Sequence, residues 1–301
     1  MTRCGFAARI GRPNVGKSTL LNRVVGEKVS ITASSPNTTR HAIRGIVTEG
    51  ETQIIFVDTP GLHRPRTSLG GRLNDTARAA ADDVDVVIAM IDASAAIGPG
   101  DRMVISTMLE QCRYDSGPLP VVAVNKMDRT NRAAVAAQLL AVHRVTEELA
   151  IEAGHRDVIE RIEYYPISAK DGAGIEVLVD AVRAAMPESP FLFPDDELSD
   201  VPEATFISEL VREQLVRKTR EELPHSIHCR VVEYEWPHIT VEILVERESQ
   251  KGMVIGKGGQ LLKDVGIAAR KQLPEGCFLE LRVRVEPGWQ KREDILDRLG
   301  Y

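Results

Sequence analysis

No apolar run in the chain approaches the roughly 20 residues that a membrane-spanning helix needs. A helical membrane protein is therefore not expected. The first apolar stretch, Phe6 to Ile10, is short and broken by Arg9. It does not make a signal peptide, and the expected place of work is the cytoplasm. Cysteine is sparse: Cys4, Cys112, Cys229 and Cys277 are widely scattered, with no C-x-x-C pair. That excludes both a disulfide framework and the usual zinc spacing. His225, His228, Cys229 and His238 lie close together, but in or beside alternating strand-like residues, so the pattern predicts no metal site. Positive charge is not in excess, the net charge being −6. This argues only weakly against a nucleic-acid partner, because local basic patches matter more than the sum. Aromatics are also few, at 4%. What remains is the composition of an ordinary globular protein, and 301 residues suffice for two domains with separate cores.

What is present starts with Gly11-Arg12-Pro13-Asn14-Val15-Gly16-Lys17-Ser18, a full match to the phosphate-binding loop G-x-x-x-x-G-K-[ST]. A short apolar strand precedes it and a helix from Ser18 to Val25 follows, closed by Gly26. The glycines let backbone N–H groups of Gly11 through Thr19 approach phosphate oxygens at a helix N-terminus. Lys17 is placed to reach the β- and γ-phosphates, and the Ser18 hydroxyl to ligate Mg²⁺. Lys28 to Arg40 reads as a polar loop, where a triphosphatase puts its first nucleotide-sensing switch; Thr38 and Thr39 are both candidate Mg²⁺ ligands. Two extended runs, His41–Glu49 and Thr52–Val57, flank Gly50-Glu51 as a hairpin. The second ends in Asp58-Thr59-Pro60-Gly61. There Asp58 stands where a metal-holding acid is expected, and Gly61 offers a backbone N–H to a γ-phosphate.

Further strands are expected at Val84–Asp92, Leu119–Val124 and Ile159–Ile167. Helices are expected at Leu69–Ala81, Asp101–Cys112, Asn131–Ala153 and Gly174–Ala185. This alternation predicts a mainly parallel sheet with helices on both faces and one antiparallel edge. Asn125-Lys126-Met127-Asp128 follows a strand directly. A carboxylate there accepts the N1–H and N2–H₂ of guanine together and is repelled by the N1 acceptor of adenine. Asp128 is thus suited to select guanine, with Lys126 along the base and Asn125 tying the loop to the phosphate loop. Ser168-Ala169-Lys170 then offers backbone N–H to guanine O6.

Residues 187–202 hold four prolines and five acids and read as a linker. We expect a nucleotide domain over 1–187, a linker over 188–202 and a second domain over 203–301. In the last, the order αββααβ surrounds Val254-Ile255-Gly256-Lys257-Gly258-Gly259. A G-x-x-G turn between two short helices lets single-stranded RNA lie close to the backbone, as in KH domains. The candidate RNA contacts are Ile255, Gly256, Lys257, Gly258 and Gly259, with Lys251 and Lys263 nearby. Residues 203–301 carry 16 Lys and Arg against 17 Asp and Glu, so a basic face requires an acidic back.

Taken together, GRPNVGKS, TTRH (Thr38 to His41), DTPGLH (Asp58 to His63), NKMD, SAK, VERESQKGMVIGKGG (Val245 to Gly259) and the ending Leu299-Gly300-Tyr301 resemble the Era GTPases. The resemblance implies an α/β P-loop GTPase domain followed by an α+β type II KH domain. It implies GTP/GDP and Mg²⁺ as ligands, with hydrolysis to GDP and phosphate. The implied partners are the 3′ end of 16S ribosomal RNA and the 30S subunit precursor, with a monomeric chain and some peripheral membrane contact at the inner face. A GTP-regulated RNA-binding module with incidental hydrolysis is the alternative. Leu62 stands where Ras-like enzymes carry a water-orienting Gln, so slow intrinsic hydrolysis is expected. In related GTPases an Asn at the position of Asn14 helps hold K⁺, which places Asn14 with Lys17, Thr39 and Gly61 among the catalytic candidates. Arg9 departs from the family, whose strand is apolar there. A buried charge without compensation costs several kcal/mol, so Arg9 must pair with an acid or reach an edge.

Overall fold

The computed structural model describes every residue except 34–37, 64, 66 and 220–222, together with the side chain of residue 225. Contacts divide the chain into two units. The first is Met1–Ser30, Thr39–Arg66 and Gly70–Asp200; the second is Ile31–Thr38, Thr67–Leu69 and Val201–Tyr301.

In the first unit, β1 (Arg3–Gly11), α1 (Lys17–Val25), β2 (Ile43–Glu49), β3 (Thr52–Asp58), α2 (Ser68–Ala79), β4 (Val86–Asp92), α3 (Pro99–Gln111), β5 (Leu119–Asn125), α4 (Arg132–Ala153), β6 (Glu163–Pro166) and α5 (Ile175–Ala185) follow one another. The sheet order is β2-β3-β1-β4-β5-β6. Only the β2–β3 hairpin is antiparallel. Strands such as β4 are apolar at nearly every position because helices cover both faces, and Val86 to Met90 are fully buried. The chain reverses direction across the sheet on either side of β1, and loops after strands at such a reversal form the ligand crevice of open α/β sheets.

Three expectations change in detail. The strand expected from Ile159 begins only at Glu163, because Arg156–Arg161 is a 3₁₀ turn. Arg161 pins that turn by donating to the carbonyls of Cys112, Tyr114, Gly117 and Pro118. The alternating residues Ser226–Glu235 predict a strand, which likewise starts only at His228, after a helical turn at Leu223–Ser226. The Pro-rich segment expected as a linker is bonded to the first unit up to Asp200. The buried Gln53 accepts from Leu192 N and Phe193 N and donates to Phe193 O. Phe191 and Phe193 pack on Cys4, Ile46 and Ile55. Leu198 O accepts from Ile46 N, and Ser199 bridges Gly45, so the segment covers the open edge of β2.

The second unit contains α6 (Glu203–Lys218), α7 (Leu223–Ser226), β7 (His228–Glu235), β8 (His238–Val245), α8 (Glu248–Ile255), α9 (Gln260–Arg270), β9 (Phe278–Val285) and α10 (Glu293–Arg298). Its sheet runs β7-β8-β9, with β7 antiparallel and β9 parallel to β8. α6 closes at Lys218, where the Thr219 hydroxyl bonds Leu215 O; the rest of the helix expected to 222 lies outside the described residues. The Tyr301 hydroxyl is hydrogen-bonded with His228 Nδ1 at 2.7 Å, and its ring stacks on the buried Trp289, which gives Tyr301 a packing role. Of the segment Ile31–Thr38 grouped with this unit, Thr32 and Thr38 are bonded to α6. Thr32 N donates to Glu213 Oε1 at 2.9 Å, and Arg217 and Arg212 donate to the carbonyls of Thr32 and Thr38. No helix of the described residues is long and apolar enough to cross a membrane.

Candidate functional site

The phosphate loop leaves β1 and enters α1 through two residues at positive φ, Asn14 (63°) and Gly16 (109°). Asn14 is exposed on the rim of the loop. A side chain at Gly16 would lie 2.3 Å from Asn125 Nδ2, so glycine is required there both by conformation and by space. Asn125 uses that closeness. Its Nδ2 donates to Val15 O at 2.7 Å, and its Oδ1 accepts from Ala169 N at 2.9 Å. One buried amide thereby ties together three loops far apart in sequence. Gly61 packs on the same loop: a Cβ there would meet Pro13 N at 2.7 Å, and Leu62 N donates to Gly11 O.

Lys17 is buried and donates to the carbonyls of Gly11 and Arg12 at 3.0 and 3.2 Å. Burial brings its ammonium down to about 8, against the opposing pull of Asp58. A cation held this way, one side-chain rotation from the loop's N–H groups, is poised for an anion rather than for solvent.

The metal candidates converge. Ser18 Oγ donates to Asp58 Oδ2 at 2.7 Å and stands 2.9 Å from Thr39 Oγ1, which lies 3.4 Å from the same carboxylate oxygen. Thr39 is buried. Thr38 instead turns its hydroxyl toward Ala33 O, so of the two threonines only Thr39 joins the cluster. One carboxylate and two hydroxyls are hard oxygen donors, the kind of set that suits Mg²⁺ when phosphate and water complete the shell. Ser30, which the motif reading passed over, donates to Asp58 Oδ2 at 3.1 Å and is buried. Asn22 places it, accepting from Val29 N and Ser30 N and donating to Ser30 O. Ser30→Ala is expected to lower the stability of the nucleotide-free protein by about 1.5–3 kcal/mol, the worth of one hydrogen bond to a charged group. Denaturant unfolding checks this, and an unchanged midpoint would remove the role.

On the base side, Asp128 is exposed, and its Oδ1 is held by Ser168 Oγ at 2.8 Å. Lys126 sits at φ 71° and reaches Asp92 at 2.7 Å. Burial opposes the charged form of Asp92, but bonds from Lys126 and Ser94 outweigh it and hold the carboxyl below its usual range. The sequence reading missed Asp92 because nothing near it forms a motif. Of the three N–H groups expected to face the base, Ser168 N is spent on Ala173 O and Ala169 N on Asn125. The loop is thus braced by the backbone of its first two residues.

In the second unit, the G-x-x-G turn lies between α8 and α9, with Gly256, Gly258 and Gly259 all at positive φ. A Cβ on Gly256 would meet Leu261 Cβ at 2.7 Å, whereas Gly258 has open space. Lys257 and Lys263 are exposed and Lys251 and Ile255 partly so, and Met253 and Ile267 leave apolar surface beside the turn. Gln250 anchors α8 by accepting from Glu246 N and Arg247 N.

Residues 6–126 match a family profile described as a 50S ribosome-binding GTPase, and residues 222–290 match a KH domain. GTPase Era of Mycobacterium avium (strain 104) is 44% identical over 99% of this chain and 99% of its own. GTPase Era of Mycobacterium tuberculosis (strain ATCC 25618 / H37Rv) is 45% identical over 99% and 98%. A crystal structure of Era in complex with MgGDPNP and nucleotides 1506–1542 of 16S ribosomal RNA superposes with a TM-score of 0.87 at 35% identity, covering 100% of this chain and 99% of that one. An Aquifex aeolicus Era variant bound to GDP·AlF4⁻ gives 0.86 at 35% identity, with the same coverage. Identity sustained from end to end, across both units and their motifs, shows that this chain belongs to the Era family of GTPases.

Proposed function

We propose that this chain is a GTP-binding and GTP-hydrolysing switch that binds 16S ribosomal RNA near its 3′ end and assists assembly of the 30S subunit. The observation that carries the reading is the convergence of Ser18, Thr39 and Asp58 beside the phosphate loop. The ligands named for the solved Era complex support the RNA partner and the Mg²⁺–guanine nucleotide pair.

In this reading the domains are 1–187 for nucleotide and 203–301 for RNA, joined through 188–202. N–H groups of Val15 to Thr19 cradle the phosphates, and Lys17 leaves its two carbonyls for the β- and γ-oxygens. Ser18, Thr39 and Asp58 hold Mg²⁺, which when bound neutralises charge on those oxygens. Gly61 N–H meets the γ-phosphate, and Asp128 with Lys126 selects and covers guanine. Thr39 is the chain neighbour of Thr38, whose carbonyl accepts from Arg212 of α6. Loss of the Mg²⁺ contact at Thr39 after hydrolysis would therefore be felt at its neighbour Thr38, a route from hydrolysis to RNA release.

Hydrolysis is slow without help, because Leu62 is buried in the core and no side chain at that position orients water. Asn14, on the rim of the loop, holds K⁺ near the phosphates and so supplies the missing charge. The test is GTP turnover in KCl and in NaCl, with and without an oligoribonucleotide of the 16S 3′ end. We expect K⁺ to raise turnover by about tenfold or more, the scale of one preorganised charge at a transition state. RNA is expected to dissociate after hydrolysis. Equal turnover in the two salts removes the role of K⁺, and RNA retained through hydrolysis favours the module with incidental hydrolysis.

A further inference from the structure

Arg9 is fully buried in β1, directly beside Asp58 in the parallel register with β3. Its side chain neither reaches an edge nor makes a close ion pair. Nη1 donates to Lys17 O at 3.2 Å, and the guanidinium lies 5.7 Å from the centre of the Phe56 ring. Nη2 stands 3.9 Å from Asp58 Oδ1. Arg9 Nε, Arg9 Nη2 and Asp58 Oδ1 are buried without a hydrogen-bond partner among the described residues. The Asp58 carboxylate is thus divided. Oδ2 takes the hydroxyls of Ser18, Ser30 and Thr39, while Oδ1 faces the guanidinium at 3.9 Å. A guanidinium keeps its proton in proteins, so Arg9 is a fixed positive charge here.

A charge this costly to bury is retained where it acts on something. Packing alone is met by any apolar side chain in a strand of this kind. The group it faces is the one carboxylate of the proposed cation site. A fixed positive charge behind that carboxylate offsets part of its negative charge. It lies on the Oδ1 side of the carboxylate, and the hydroxyls lie on the Oδ2 side. The bond to Lys17 O extends the same clamp to the first turn of α1, where Ser18 follows.

We propose that Arg9 is a positioning residue and internal counter-ion for Asp58 that weakens the hold of this site on Mg²⁺, so that the chain needs more free Mg²⁺ to retain nucleotide than it would with a neutral residue at position 9. The proposal rests on the reading of Asp58 as the metal-side carboxylate. In the metal-free state the same charge balances Asp58. The site therefore passes between metal-bound and metal-free forms without an isolated buried anion in either.

The experiment measures release of N-methylanthraniloyl-GDP from the full chain against buffered free Mg²⁺. Arg9→Met removes the charge at similar length, Arg9→Gln removes it while keeping hydrogen-bonding groups, and Arg9→Lys keeps it. The Mg²⁺ midpoint is read on whichever neutral variant folds. A neutral variant is expected to shift the midpoint down by at least about tenfold, a lower bound because one unit charge a few ångströms from a divalent ion at an effective dielectric near 20 is worth more than that. Arg9→Lys is expected to restore the wild-type midpoint, which a role confined to packing does not predict. A neutral-variant midpoint within about threefold of wild type, or above it, overturns the proposal. Release from the wild type that ignores Mg²⁺ altogether sinks instead the assignment of Ser18, Thr39 and Asp58, so the two failures are distinguishable.

Discussion

Asp128→Asn is expected to move nucleotide preference from GTP to XTP. In the proposed reading the Asp128 carboxylate accepts from the N1–H and N2–H₂ of guanine; Ser168 Oγ fixes its orientation by donating to Oδ1. Asn keeps one acceptor, so the Ser168 bond survives, but its amide N–H₂ confronts the guanine N2–H₂ with a second donor. Each hydrogen bond to a charged group is worth about 1.5–3 kcal/mol. Loss of one such bond together with an unpaired donor lowers GTP affinity by about 100-fold or more. Xanthine has a carbonyl at C2, which accepts from the new amide, and XTP affinity rises in step. Competition of GTP and XTP against a fluorescent nucleotide measures both, and an unaltered preference for GTP would refute the role of Asp128. Asp128 is exposed, so the exchange leaves the core untouched and the comparison is clean.

Gly258→Asp should weaken binding to an oligoribonucleotide of the 16S 3′ end by about 10- to 100-fold, with GTP binding unchanged. Gly258 sits at φ 60° with nothing within 4 Å of an added Cβ. Aspartate is among the few L-residues that tolerate such a backbone, so the turn keeps its shape. What changes is the sign of charge where a phosphodiester is to lie, and such like-charge contacts cost several kcal/mol before screening. The loss is therefore greatest at low salt. Gly256 is the wrong place for this test. Its Cβ would collide with Leu261, and lost binding there would report a broken helix junction. Full RNA affinity in Gly258→Asp would count against the KH turn as the binding surface.

Much of this was readable in the order of motifs. The phosphate loop, Asp58 to Gly61 and Asn125 to Asp128 each sit where a strand ends, and in an open parallel sheet such ends meet at one crevice. The αββααβ order around the G-x-x-G turn placed the second unit in the same way. Residues that act through a neighbour were not readable. Ser30 has no motif around it and reaches Asp58 only because Asn22 folds the chain after α1 back on itself. Asp92 closes on Lys126 because two adjacent parallel strands end level with each other, Asp92 opposite Asn125. The acidic, proline-rich stretch after Pro187 looked unattached because composition does not show that a buried Gln53 waits for its backbone.

The sequence by itself determined the chemistry on offer: a triphosphate loop, a guanine-selecting carboxylate and a glycine turn for RNA, since each depends on residue types at short, fixed spacings. Only the tertiary structure decided between Thr38 and Thr39, because consecutive residues in an extended loop point opposite ways and a single hydroxyl meets Ser18 and Asp58. It also decided where Arg9 goes. Sequence shows that a charge lies in an apolar strand. The parallel register shows that the next strand brings Asp58 alongside it, because hydrogen-bonded neighbours in a sheet turn their side chains to the same face.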